Sequence, residues 1–162
     1  MFSFGRKSLE VRETLCDELK AVVDFAIQIY DISLIEGHRD QATQDRYFAQ
    51  GVSKLKWPNG KHNTYPSDAV DIWPYVTNLA GVRVSTALSG HPDQIKALAR
   101  ATGKSEKRIW ELILQEYATM KGVLMAAAKV HGVTLRFGDD WNMNRDRLDE
   151  RFIDLPHVEV VR

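Results

Sequence analysis

The chain has 162 residues, enough for one globular domain with its own core and little beyond it. Its 22 basic and 22 acidic residues balance to zero net charge, so no global field would steer it to nucleic acid or to an anionic membrane. A single cysteine, Cys16, excludes an intramolecular disulfide, and no run reaches the roughly 20 apolar residues of a membrane span.

Ser8 is a candidate cap for one helix running to about Tyr30, with Val11, Leu15, Leu19, Val22, Ala26 and Ile29 as its apolar stripe. Cys16 falls within it and reads as a small buried hydrophobe. Residues 31–37 alternate as a short strand ended by Gly37, and a second helix is expected from Asp40 to Gln50, closed by Gly51. Residues 52–67 carry the turn signals Pro58-Asn59-Gly60 and Tyr65-Pro66-Ser67, and Ala69–Trp73 reads as a buried strand containing an acid.

Residues 77–90 look irregular and polar. His91-Pro92-Asp93 opens a short helix reaching Ala101, with Gly103 as its stop. Ser105 caps a longer helix with Ile109, Leu112, Ile113, Tyr117, Met120, Leu124 and Ala128 on one face, ended by Gly132. Strands follow over Val133–Phe137 and His157–Val161, separated by a polar loop. Without regular strand–helix alternation the expected class is α+β: a single small domain, its short, mainly antiparallel sheet packed against helices.

Five histidines stand at 38, 62, 91, 131 and 157. His91 and His131 border helix ends and need no functional account, and His38 is ambiguous. His62 and His157 have carboxylates at suggestive spacings. Asp71 is flanked by Val70, Ile72 and Trp73, a costly place for an acid unless it is paired or holds a cation. Asp154 precedes His157 by three, and Pro156 fixes the approach. Two imidazoles and one carboxylate form a catalytic zinc set with a fourth position left for water, and a further carboxylate supplies a base. On the residues alone the alternative stays open: two surface histidines, and a strand acid paired with an arginine. Glu159 shares a strand face with His157 and could orient it or be solvated. Asp140 could brace the site or end a turn. Trp73, Trp110 and Trp141 read as core or pocket wall in preference to sugar platforms.

The order of the segments carries more than any one of them. Phe4-Gly5-Arg6-Lys7-Ser8 is followed by Glu36-Gly37-His38-Arg39 with Gln41 and Gln44. Lys61-His62-Asn63 then leads through Pro66-Ser67-Asp68-Ala69-Val70-Asp71 to Pro74-Tyr75. Leu135-Arg136-Phe137-Gly138 with Asp140-Trp141-Asn142 comes next, and Asp154-Leu155-Pro156-His157-Val158-Glu159 closes the series. In this series the chain resembles the zinc D-alanyl-D-alanine peptidase family, whose fold is shared with the Hedgehog signalling domain. Within it, the chain is most similar to tailed-phage endolysins that cleave the L-alanyl–D-glutamate bond. The resemblance spans nearly the whole chain and implies that His62, Asp71 and His157 bind Zn²⁺, that Asp154 is the acid/base and that Arg39 steadies the developing oxyanion. It leaves residues of about 77–105 least explained, as an insertion within a single peptidase domain of residues 1–162. Three departures stand out: Gly60 where the family often has serine, a His62–Asp71 spacing longer by two than the commonest form, and Asp154 where many relatives have Glu.

The resemblance implies hydrolysis of peptidoglycan stem peptides. A monomer is the default expectation, and zero net charge and the lack of a long apolar run argue against nucleic-acid binding and membrane insertion. The opening residues do not form a signal peptide, so the expected course is synthesis in the host cytoplasm and action in the cell wall after the membrane is permeabilised. Two alternatives remain: a D-Ala-D-Ala carboxypeptidase or dipeptidase, and a metal-stabilised binding module without turnover.

Overall fold

A computed structural model describes all residues, Met1–Arg162. The elements are α1 (Arg6–Glu13), α2 (Asp17–Ile29), β1 (Ile32–Glu36), α3 (Gln41–Ala49), a single 3-10 turn at Lys61–Asn63, β2 (Ala69–Leu79), β3 (Val82–Ala87), α4 (Pro92–Thr102), α5 (Glu106–His131), β4 (Leu135–Phe137) and β5 (His157–Val160). The strands run in the order β1-β2-β5-β4, with β3 paired to β2, and every named pairing is antiparallel. Helices and sheet share one core, which matches the α+β expectation.

The single N-terminal helix expected from the apolar stripe is two helices. Between them Leu15 bridges to Ser67: the Cys16 N–H donates to the Ser67 carbonyl at 2.9 Å, and the Ser67 N–H donates to the Thr14 carbonyl at 2.8 Å. Those bonds replace helical ones, so the break is repaid by tertiary pairing that clamps the segment feeding β2. Ser8 is not a cap. It lies inside α1, where its buried hydroxyl accepts from the Leu34 N–H at 3.1 Å and ties the helix to β1. Ile29 is 53% exposed, and Val23 and Ile27 are buried in its place. Cys16 is buried in the core cluster as expected.

Residues 77–90 are not irregular throughout. β2 continues to Leu79 and turns back into β3 through Ala80-Gly81, both with positive φ (50° and 81°). A two-residue hairpin turn needs that conformation, and alanine in its first position gives no sequence warning of it. The later helices follow their caps: the Asp40 side chain accepts from the Thr43 N–H, His91 from Asp93 and Ser105 from Arg108. β4 starts at Leu135, two residues later than expected, because Val133 still donates to the Ala128 carbonyl at the end of α5.

Alternation along the strands gives the sheet two faces. Val70, Ile72, Val76, Val158 and Val160 enter one apolar cluster with Leu19, Val22 and Val23 of α2 and Ile113, Tyr117 and Leu124 of α5. Each such fully buried side chain contributes about 1.5–3 kcal/mol. The intervening residues Asp71, His157 and Glu159 face a cleft on the other side. Register sets them in a row, with Asp71 opposite His157 on β5 and Glu36 opposite Asp71 on β1.

Candidate metal centre

The row lies on the floor of a cleft of about 730 Å³. His62 arrives on the 3-10 turn; Asp71 and His157 come from facing strands. His62 Nε2 and His157 Nδ1 are 3.2 Å apart, and Asp71 Oδ1 is 3.3 Å from the first and 3.4 Å from the second. Ligand atoms at about 2.0–2.1 Å from a tetrahedral metal would be separated by about 3.3–3.4 Å, so the triangle has the right edge.

The outer nitrogens decide the tautomers. His62 Nδ1 lies 2.7 Å from the Gly37 carbonyl, which can only accept, so that nitrogen carries the proton. His157 Nε2 lies 2.9 Å from the Glu159 carboxylate and donates to it. With both rings neutral, as metal binding requires, the inner nitrogens present lone pairs, and Asp71 Oδ1 is buried without a hydrogen-bond partner. Three acceptors in mutual contact repel unless a cation lies among them. Burial opposes protonation of His157, yet Asp71 and Glu159 prevail and push its imidazole up to about 9. Burial likewise opposes charge on Asp71, and His157 and His62 nonetheless hold its carboxyl below the ordinary range. A dication held by these three residues would meet that demand, so the residues present fit a metal.

Glu159 is 3% exposed and is not solvated. It accepts from His157 through Oε2 and from Arg136 Nε at 2.9 Å through Oε1, an outer support for the His157 ring. Period-two spacing from His157 was the signal for it; nothing in the sequence named Arg136 as its partner.

Arg39 and Asp154 line the same cleft, so all five residues singled out from the sequence meet there. Arg39 follows β1, its side chain only 12% exposed. It donates to Glu36 through Nε and Nη2 and to Gln44 Oε1 through Nη1, and its guanidinium lies 4.8 Å from the Tyr47 ring centroid. Asp71 Oδ2 is 4.0 Å from Arg39 Nη2. Gln44 is buried and joins this wall together: Oε1 also accepts from Asn63, while Nε2 donates to Ser53 Oγ and the Leu55 carbonyl. A side chain at Gly60 would put its Cβ 2.9 Å from Asn63 Oδ1, so Asn63 occupies the space a serine there would need.

Asp154 faces the floor from the opposite wall. Burial, then the charge of Asp71, raises its carboxyl above the ordinary range, against the pull of His157, His62 and Arg39. Its backbone N–H donates to the Gly138 carbonyl at 2.7 Å. A Cβ on Gly138 would lie 2.3 Å from the Asp154 carbonyl oxygen and 2.9 Å from His157 Cβ, so only glycine permits this approach. Trp141 is wall, as expected: it donates to the Phe152 carbonyl, stacks on the Phe152 ring and lies 5.2 Å from the His157 ring. Asp140 ends the turn after β4, its N–H donating to the Phe137 carbonyl. His38 stands outside the cleft lining, bonded to the Thr64 carbonyl and packed edge-on to Tyr65.

The chain matches the family model described as phage L-alanyl-D-glutamate peptidase over residues 1–83 and 90–161. It is 31% identical over 166 residues to the L-alanyl-D-glutamate peptidase of Escherichia phage T5, with 99% of this chain and 98% of that protein covered. The crystal structure of Serratia marcescens L-Ala D-Glu endopeptidase ChiX superimposes with a TM-score of 0.60 at 18% identity, covering 98% of this chain and 90% of that one. The latter likeness shows a shared fold.

Proposed function

Because the chain belongs to the phage L-alanyl-D-glutamate peptidase family, we propose that it is a zinc endopeptidase that hydrolyses the L-alanyl–D-glutamate bond of peptidoglycan stem peptides. The observation that carries the metal half of this reading is the triangle of three acceptors, His62 Nε2, Asp71 Oδ1 and His157 Nδ1, with both outer nitrogens already donating elsewhere. Two imidazoles and a carboxylate are a donor set for zinc.

Bound there, zinc would polarise the peptide carbonyl and lower the pKa of an attacking water to roughly 7. The remaining tasks fall to the chain. Asp154 takes a proton from the water and returns it to the departing amine, a role helped by a carboxyl that holds its proton more readily than usual. Arg39, fixed by Glu36 and Gln44, presents its remaining N–H groups to the carbonyl oxygen as negative charge develops. Glu159 and the Gly37 carbonyl keep the two imidazoles in the tautomer the metal needs. On this reading the chain acts as a monomer on the host cell wall, after synthesis in the cytoplasm and permeabilisation of the membrane. No helix is long and apolar enough to cross a membrane.

The test is a digest of purified Gram-negative peptidoglycan, with and without a chelator, followed by mass spectrometry of the soluble fragments. The expected fragments have a new amino terminus at D-glutamate, vanish on chelation and return with zinc. Release of free D-alanine alone would move the function to a carboxypeptidase. No release from folded, zinc-holding protein would leave a binding module.

A further inference from the structure

We propose that Arg136 anchors the free α-carboxylate of the substrate's D-glutamyl residue, forming a binding subsite on the leaving-group side of the cleft; this rests on the L-alanyl–D-glutamate reading above. In a stem peptide, D-glutamate continues the chain through its side-chain carboxyl. Its α-carboxylate therefore hangs two bonds from the amine that Asp154 must protonate. An anion brought that far into a cleft is costly unless a cation meets it.

Four cations line the cleft: Arg39, Lys54, Lys61 and Arg136. Arg39 has acceptors on Nε, Nη1 and Nη2 and is committed to the carbonyl side. Lys54 and Lys61 stand with the wall that carries Arg39, in the segment after α3. Arg136 alone belongs with Asp154. It lies two residues before Gly138, whose carbonyl accepts from the Asp154 N–H at 2.7 Å.

The Arg136 guanidinium is already oriented. Nε and Nη2 both donate to Glu159 Oε1, and the group lies 5.8 Å from the Trp141 ring centroid; Glu159 and Trp141 both line this cleft. Glu159 is buried and also bonded to His157, so the clamp is stiff. This leaves both N–H groups of Nη1 and the second N–H of Nη2 without a protein acceptor, on a side chain 35% exposed. Two parallel N–H bonds from that edge match a carboxylate, and a carboxamide can satisfy them only in part. The subsite would thus select unamidated D-glutamate over D-isoglutamine.

The experiment compares two synthetic stem tetrapeptides, one with a free α-carboxylate and one with the α-carboxamide, as substrates of the zinc-loaded protein and of Arg136→Gln and Arg136→Lys. Zinc content is measured for each variant, because Arg136 also touches Glu159. Wild type should favour the carboxylate by about 10- to 100-fold in kcat/KM. Arg136→Gln should lose most of that ratio, and Arg136→Lys, a point charge without the fork, should keep part of it. Equal cleavage of the two peptides by wild type would overturn the proposal without any variant. So would a ratio that survives Arg136→Gln, or a loss that is the same on both peptides, which would mark Arg136 as a support for Glu159 only. Cleavage of neither peptide by wild type would overturn the proposal too. The peptidoglycan digest then tells whether the parent reading has failed with it.

Discussion

On the floor of the cleft, Asp71 and His157 are placed by strand register, and the imidazoles of His62 and His157 are oriented by acceptors that admit one tautomer each. On the wall, Asp154 and Trp141 belong to the irregular segment between β4 and β5, where Asp154 is tied by backbone bonds to Gly138 and His157 and Trp141 by its bond to the Phe152 carbonyl. The floor is over-determined because a metal site tolerates little error in ligand position. The wall needs only to bring a carboxylate and a cation within reach of a bound peptide. Metal binding and turnover should therefore separate by mutation, with floor variants losing the ion and wall variants losing rate.

The largest effect is expected from Asp71→Ala, which removes a ligand and leaves two imidazoles: zinc content measured after dialysis should fall to background, and peptidoglycan hydrolysis with it. Asp154→Ala should lower kcat by about 10²–10⁴ while zinc stays bound at one per chain. Should that variant also shed zinc, wall and floor are not independent. Glu159→Gln keeps the shape and removes the charge behind His157. Competition with a chromogenic chelator should show zinc affinity reduced about 10- to 100-fold. Gly138→Ala strikes the junction of the two regions, and thermal unfolding should report a loss of about 1–3 kcal/mol as the strand end is pushed from Asp154 and His157.

The smallest effect is a pH dependence of opposite sign in the two metal states. In chelated protein the folded His157 is pushed up to about 9 from an ordinary value of 6.5, so its protonation favours the fold. That contribution is complete below about 6.5 and disappears as pH rises through about 9. Zinc displaces the proton, so zinc binding strengthens over the same interval. Melting temperatures from pH 6 to 10 should fall for chelated protein and hold or rise for zinc-loaded protein; parallel curves would contradict the assignment.

Much of this arrangement is legible in the sequence because it lies in local signals. The caps at Asp40, His91 and Ser105 and the acid within Ala69–Trp73 each announce themselves within a few residues, and the ordered segments bring His62, Asp71, Asp154 and His157 together. What is not legible depends on partners distant along the chain. Nothing near Leu15 predicts that Ser67 will interrupt the first helix, and Ser8 resembles a cap until Leu34 is seen to claim its hydroxyl. Gln44 appears among the family segments, yet its role needs Arg39, Asn63, Ser53 and Leu55 in place around it. The Ala80-Gly81 turn is hidden for a different reason: alanine pays a conformational penalty that strand pairing covers.

The alternation of β5 has one more consequence. A slip of a single residue against β2 would turn His157 and Glu159 into the apolar layer and Val158 and Val160 out over the cleft. Such a chain could be compact and still be unable to take up a metal, so a metal bound by these residues would act as an inspector of folding. Only molecules with the strands correctly aligned would be armed, and a wall-degrading enzyme would stay harmless in every copy that failed the inspection.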